Sequence, residues 1–307
     1  MGSNVAEGYH RRDKDKPLIS LILVTANRAD WLGSLLDAIQ AQNEGSWELV
    51  AVDCGSEDNT LDVLETRAAD DSRIKVLSIE DTDKAVGRRQ ALQKARGQYL
   101  AFPDPNSLWS PDFLGHLLKT FNQVPESTGI VYAPAAVLGD GGEVLKTVPG
   151  ELRHGAMVRE LFETPQLPLS ALLIRSKVIK PLQKTGMHFW LSNDHALLIW
   201  LAHKAPMVAC GGKPLVRIRP IEGRLPTYLD AVNEDRGRAL SHALEALPRV
   251  VPSRFARQCL ARFYSKRSVS LAAAGEKGDA FSCALWALMY RPLWPRAWQQ
   301  LVRLVLR

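Results

Sequence analysis

Four short apolar runs of strand length recur in the first third of the chain: LISLILV (18–24), WELVAVD (47–53), RIKVLSI (73–79) and YLAFPD (99–104). They are continuous rather than alternating and rich in Ile, Val and Leu, the pattern of strands covered on both faces in a parallel sheet. Between the first two, Trp31, Leu32, Leu35, Leu36 and Ile39 recur at helical spacing, and a second helix begins after Ser56. Strand and helix in alternation predict a doubly wound α/β sheet, in which ligands gather outside the carboxyl ends of the strands. Those ends are Thr25 to Arg28, Asp53 to Asp58 and Asp104 to Asn106.

Beyond residue 110 the pattern changes. LGDGGEVLKTV (138–148) reads as a strand pair around a Gly-rich turn, and SALLIRSKVI (170–179) as a strand leading into a helix. NDHALLIWLAHKA (193–205) reads as a helix capped by Asn193 or Asp194, and PLVRIRP (214–220) as a final strand. From Tyr228 onward the chain is helical in character, with Gly275 and Gly278 expected to separate one helix from the next. The last stretch sets Trp294, Ala297, Trp298, Leu301, Val302 and Val305 against Arg296, Gln299, Gln300, Arg303 and Arg307, an amphipathic helix with Trp and Arg at its boundary. Residues 1–16 are polar and aperiodic, and are expected to form a flexible leader. The expected organisation is therefore that leader, a first half over 17–115, a second half of the same domain over 116–225, and a helical extension over 226–307.

Composition narrows the class without naming a function. With 307 residues, 46 % hydrophobic and 23 % charged, the chain is neither collagen-like, coiled-coil nor wholly disordered. It has no apolar run of membrane-spanning length and no apolar signal-peptide core near its start. Its four cysteines form no CxxC pair, which speaks against zinc, redox and disulfide frameworks and for a reducing, cytoplasmic setting. The net charge of +6 is uneven: residues 250–307 hold ten Lys/Arg against two acids, while the rest holds 29 basic and 31 acidic side chains. A basic tail on a near-neutral body points to an anionic partner surface, a membrane leaflet or a nucleic acid. Nucleic acid is the weaker reading, because no recognised binding module accompanies the charge.

The residues over 17–114 carry a more specific signal. PLISLILVTANRADWLGSLLDAIQAQ, WELVAVDCGSEDNTLDVL and AVGRRQALQKARGQYLAFPDPNSLWSPDFL resemble, in order and spacing, the nucleotide-sugar-binding half of family 2 glycosyltransferases of the GT-A fold. SNDHALLIWLA and PLVRIRP are similar, more loosely, to that family's acidic motif and last strand. The resemblance implies a GT-A type, mostly parallel α/β sheet with a small C-terminal helical extension. It also implies transfer of a sugar from a nucleoside diphosphate sugar to an acceptor hydroxyl with inversion at the anomeric carbon, in surface polysaccharide or glycolipid assembly. A glycan or lipid-linked acceptor, and a peripheral place on the inner face of the cell membrane, go with that reading.

Residue by residue, the resemblance assigns Thr25, Asn27, Arg28, Asp53, Ser56, Asp58, Arg88, Asp104 and Asn106 to the donor. Asp104 and Asn106 fall on the DxD-type metal motif, implying a divalent cation, Mg²⁺ or Mn²⁺, held by one carboxylate and one amide oxygen. Asp194 falls on the general base that inversion requires. His188, Trp190 and His195 are candidates for acceptor contact. Structural alternatives stand beside several of these: Asp104 as a turn residue, Asp194 as a helix cap, Arg88 as a solvated helix charge and Trp190 as core. Three positions depart from the family pattern, Ala26 in place of an aromatic, Cys54 in place of an acid, and Asn106. These leave the donor base open and keep a second reading alive, a non-catalytic nucleotide-binding or scaffold protein. The terminal helix has its own alternative, packing on FSCALWALMY (281–290) as in a tetratricopeptide-type helix pair.

Overall fold

The computed structural model describes residues 16–164, 167–184, 187–220 and 233–306; the leader over 1–15 and the segment around the expected boundary at 225 lie outside the described residues. The first elements are β1 (Ile19–Thr25), α1 (Ala29–Gln40), β2 (Trp47–Cys54), α2 (Thr60–Asp70), β3 (Ile74–Ile79), α3 (Lys84–Lys94), β4 (Tyr99–Ala101), β5 (Ser107–Trp109) and α4 (Phe113–Phe121). Then follow β6 (Ile130–Tyr132), β7 (Ala135–Leu138), β8 (Val144–Val148), α5 (Val158–Glu163), β9 (Leu172–Arg175), α6 (Ser176–Ile179), α7 (His188–Ser192), α8 (Asp194–Lys204), β10 (Met207–Ala209) and β11 (Val216–Ile218). Four helices close the chain: α9 (Glu234–Ala246), α10 (Ser253–Ala273), α11 (Lys277–Tyr290) and α12 (Pro295–Val305).

Seven strands form the main sheet in the order β10-β6-β9-β4-β1-β2-β3. The first four sequence-predicted strands are parallel neighbours, with Thr25 level with Asp53 at the ends of β1 and β2. Every residue of β2 is buried, as continuous apolarity requires of a strand covered on both faces. On α1, Leu32, Leu35, Leu36 and Ile39 are the buried stripe. β4 stops at Ala101, short of the predicted Asp104, because Pro103 and Pro105 lack the N–H that a ladder needs. β9 runs antiparallel to both its neighbours, so the sheet is mixed where the chain turns from the first half to the second.

A smaller sheet, β5-β11-β7-β8, carries the Gly-rich hairpin of 138–148 and the PLVRIRP strand. The strands β5, β6 and β10 have three residues each and no periodicity that a sequence could display. One hydrophobic core runs from β1 to Phe263 of α10, so α9 and α10 pack on the α/β body. A separate small cluster of Ala287, Leu288 and Ala297 ties α12 to α11. Gly275, at φ +86, ends α10 as expected, but Gly278 lies inside α11 and separates nothing. All four cysteines are buried and unpaired. Among the described residues, no helix is long and apolar enough to cross a membrane.

Candidate active site

The loops after β1 and β2 brace one another. Asn27 adopts φ 52, a left-handed conformation that Asn tolerates, and its Oδ1 accepts the Glu57 N–H at 2.8 Å while its own N–H donates to Ser56 Oγ at 2.9 Å. Ser56 in turn donates its hydroxyl and its N–H to the Asp53 carboxylate. Asp58 accepts from Ala29 N at 3.1 Å and from Thr60 N at 3.0 Å, joining the starts of α1 and α2, and hydrogen bonding by Thr60 holds its carboxyl below the usual range. Asn27, Ser56 and Asp58 therefore tie the two strand-end loops together. Arg28 donates through Nη1 to the Asn27 carbonyl at 2.9 Å. Thr25 Oγ1 is buried without a hydrogen-bond partner and Asp53 is 2 % exposed, so both strand ends keep polar groups out of water at the cleft.

Across the cleft, three segments distant in sequence meet. Gly87 lets α3 press onto the ends of β1 and β2: a Cβ there would lie 2.7 Å from Cys54 Sγ and 2.9 Å from Val24 Cγ1. That contact aims the next residue, Arg88, inward, where it is 4 % exposed and donates to the Leu191 carbonyl at 2.8 Å and to Asp194 Oδ1. Arg88 is thus no solvated helix charge. Lys84, one turn earlier, reaches both Asp194 oxygens at 3.0 and 3.2 Å. Asn193, not Asp194, caps α8, its Oδ1 accepting Ala196 N–H at 2.9 Å. Burial opposes ionisation of Asp194, yet Arg88 and Lys84 outweigh it and hold the carboxyl well below its ordinary range.

Asp104 lies on the opposite wall, in the turn after β4. Its Oδ1 accepts Asn106 N–H at 2.8 Å, and burial raises its pKa while Lys84 opposes the rise. Asn106 is 7 % exposed and its Oδ1 is buried without a partner. An amide oxygen without a partner, two residues from a carboxyl group, gives oxygen donors of the type that would suit a hard divalent cation. Among the described residues no group of three or more His, Cys, Asp or Glu is placed to cage a metal by itself. Arg219, just past β11, fastens this turn from behind, donating to the Pro105 carbonyl at 2.8 Å and to Ser34 Oγ at 3.0 Å. The space enclosed by Lys84, Arg88, Phe102, Asp104, Ser170 and Asp194 is about 30 Å³, room for water and not for a sugar ring.

The three acceptor candidates separate. His188 is half exposed, with Nε2 2.7 Å from Asp83 Oδ2 at the start of α3. Trp190 is 5 % exposed, its ring against His242 at 4.8 Å and Phe189 at 6.1 Å, so the core reading holds and acceptor contact does not. His195 is also buried, and burial with the nearby Arg236 charge pushes its pKa down to about 3. It faces α5 and α9, because neighbouring helix positions point about 100° apart and Asp194 takes the cleft. The expected surface or acceptor role of His195 is thereby corrected. Lys84 and Arg219 were not singled out in the sequence: Lys84 just precedes the AVGRRQ motif, and Arg219, though within PLVRIRP, was read only as part of a strand. The cue available for Lys84 was its place one helical turn before Arg88.

Residues 20–157 match the family described as Glycosyl transferase family 2. The putative teichuronic acid biosynthesis glycosyltransferase TuaG of Bacillus subtilis is 36 % identical over 105 residues, 34 % of this chain and 42 % of that protein. WfgD of Escherichia coli, a UDP-Glc:alpha-D-GlcNAc-diphosphoundecaprenol beta-1,3-glucosyltransferase, is 36 % identical over 97 residues, 31 % of this chain and 37 % of that protein. The matched stretches thus span about two fifths of the length of these curated relatives. Among solved structures, S. aureus TarS 1–349 in complex with UDP-GlcNAc superposes with a TM-score of 0.67 at 16 % identity, covering 93 % of this chain and 88 % of that one. The mannosyltransferase PcManGT from Pyrobaculum calidifontis, in complex with GDP-Man and Mn²⁺, gives 0.56 at 18 % identity, covering 95 % and 86 %. At such identities the structural likeness speaks for the fold, and the sequence matches speak for the family. Residues 20–157 thus carry the sequence pattern of Glycosyl transferase family 2, and the chain as a whole shares the GT-A fold of these solved structures.

Proposed function

We propose that this protein transfers a sugar, with inversion, from a nucleoside diphosphate sugar to a hydroxyl of a glycan or lipid-linked acceptor in surface polysaccharide or glycolipid assembly. The observation that carries this reading is Asp194, a carboxylate freed of capping duty and placed in one small cavity with Asp104, Arg88 and Lys84. The acceptor hydroxyl gives its proton to Asp194 as its oxygen bonds to the anomeric carbon, and the bond from that carbon to the diphosphate oxygen breaks. Arg88 and Lys84 offset the charge that develops on the departing diphosphate. Asp104 and Asn106 are the residues that would hold a divalent cation, Mg²⁺ or Mn²⁺, which would supply further charge neutralisation for the leaving group. Thr25, Asn27, Arg28, Asp53, Ser56 and Asp58 line or shape the donor side, and His188 lies on the acceptor side.

The deciding experiment is product analysis with the purified chain, a panel of nucleoside diphosphate sugars and lipid-linked acceptors. Asp194→Asn should lower transfer by about 100-fold or more without weakening donor binding. Donor binding without turnover in the wild type would favour the scaffold reading, to which Ala26, Cys54 and Asn106 point.

The acceptor side of this proposal includes an anionic membrane surface. α12 settles only its Ala297 side on α11, with Leu301 and Trp294 partly packed, while Trp298, Val302 and Val305 stay 50, 51 and 66 % exposed. On α11, Trp286 and Met289 also face outward, and Leu293 between the helices is 94 % exposed. An apolar face of this kind beside ten basic and two acidic residues over 250–307 suits a leaflet rich in anionic lipid. Flotation with phosphatidylglycerol vesicles should carry the protein, and phosphatidylcholine vesicles should not. Equal flotation, or none, would remove this part.

A further inference from the structure

Arg88 and Lys84 hold the same carboxylate with unequal freedom. The Arg88 side chain is 5 % exposed, fixed by the Leu191 carbonyl and lying 5.9 Å over the Phe102 ring. The Lys84 side chain is 41 % exposed, stands in the first turn of α3 and lines the same cavity, on a flexible four-carbon stem. An ion pair with one partner so exposed is weakly held. The same ammonium also opposes the burial-driven rise in the pKa of Asp104, and both carboxyl groups line one cavity. That cavity has room for little more than water, so a diphosphate entering it requires lining side chains to move, and Lys84 is the exposed one of its two cations.

On the donor reading above, we propose that Lys84 is an exchangeable counter-ion. Without donor it neutralises Asp194; when a donor binds it swings to the diphosphate and leaves Asp194 paired with Arg88 alone. A carboxylate clasped by two cations is a poor proton acceptor, and one relieved of a cation is a better one. The base is thereby made ready by the arrival of the donor, which orders the substrates with donor first and acceptor second. Arg88 cannot take this part, because its second hydrogen bond and its burial keep it in place. Lys84 is thus a positioning residue for the base in the free protein and a charge partner of the leaving group in the complex.

The test is a double-mutant cycle on nucleotide affinity, which needs no turnover. The full chain, Asp194→Asn, Lys84→Met and the double variant are titrated calorimetrically with UDP, GDP and thymidine diphosphate, in EDTA and again with Mn²⁺. Asp194→Asn should tighten the best of these nucleotides by about fivefold, because Lys84 is no longer held elsewhere, and in the Lys84→Met background the gain should fall below about twofold. Lys84→Met alone should weaken binding, and Lys84→Arg should restore it. Equal gains from Asp194→Asn in both backgrounds would mean that the carboxylate merely repels the diphosphate, and would overturn the exchange while leaving the donor reading in place. A wild type that binds none of the three nucleotides, with or without Mn²⁺, would overturn the donor reading and the exchange together. Thermal midpoints of the variants, read beside the titrations, separate lost affinity from lost folding.

Discussion

Asn193 caps the helix that Asp194 begins. Its Oδ1 takes the Ala196 N–H at 2.9 Å, and both oxygens of Asp194 are left to Lys84 and Arg88. Asn and Asp both cap helices well, and here Asn193 takes the cap while Asp194 takes the ion pairs. Asn193→Ala should cost about 1 kcal/mol of stability through the lost cap. Because the cap also sets where α8 starts, the turnover number should fall while nucleotide affinity stays near wild type, as chemical denaturation, steady-state kinetics and nucleotide titration would show.

Breaking the pair from the Arg88 side is a harsher change. Arg88→Met leaves the Asp194 carboxylate in a site 16 % exposed with only the mobile Lys84. Loss of one partner of a buried pair costs on the order of 3 kcal/mol, so the urea midpoint should drop markedly. Arg88→Met combined with Asp194→Leu should recover much of that loss, because it removes the stranded charge as well. A double variant no more stable than the single one would contradict this account.

His195 sets an acid limit on stability. Its pKa in the fold, about 3, lies below the ordinary 6.5, so the unfolded chain binds more protons between these values. Stability from this group is full above about pH 6.5 and is lost as pH falls toward 3. His195→Leu also removes the unpartnered buried Nε2 and should flatten the dependence of the melting temperature on pH between 4 and 6.5. An unchanged slope would assign the acid sensitivity elsewhere.

Gly87 and Cys54 should be coupled. Gly87→Ala sets a methyl 2.7 Å from the Cys54 sulfur and should cost about 1–3 kcal/mol by overpacking, with α3 and its two cations displaced from the cleft. Cys54→Ala in the same chain removes the nearer obstacle, leaving Val24 Cγ1 at 2.9 Å, and should return part of the stability. A double variant that is purely additive in denaturant titrations would count against the contact.

On the proposed cation reading, Asn106 supplies a weaker ligand than a carboxylate, and one substitution tests this. Asn106→Asp supplies a second carboxylate at a buried position whose Oδ1 has no partner, and Mn²⁺ affinity should rise about tenfold in calorimetric titration with the nucleotide present. Like charge beside Asp104 should at the same time make the metal-free variant less stable than wild type.

Much of this was legible along the chain. Continuous apolar runs placed β1, β2 and β3, helical spacing placed the buried stripe of α1, and the turn formers after β4 placed Asp104 and Asn106 at a strand end. These are local matters: burial on two faces and the lack of an N–H in proline act within a few residues, and the order of strands in a parallel sheet then brings their carboxyl ends together. What lay beyond reach was everything decided by the arrival of a distant element. Lys84 is an ordinary surface lysine until α8, 110 positions on, sets Asp194 against it. Trp190 and His195 had the composition of a sugar-binding wall, and became core because α9 covers one with His242 and the other with Arg236. A side chain's chemistry is written in the sequence, but its charge state and its access to solvent depend on neighbours that only the tertiary structure supplies.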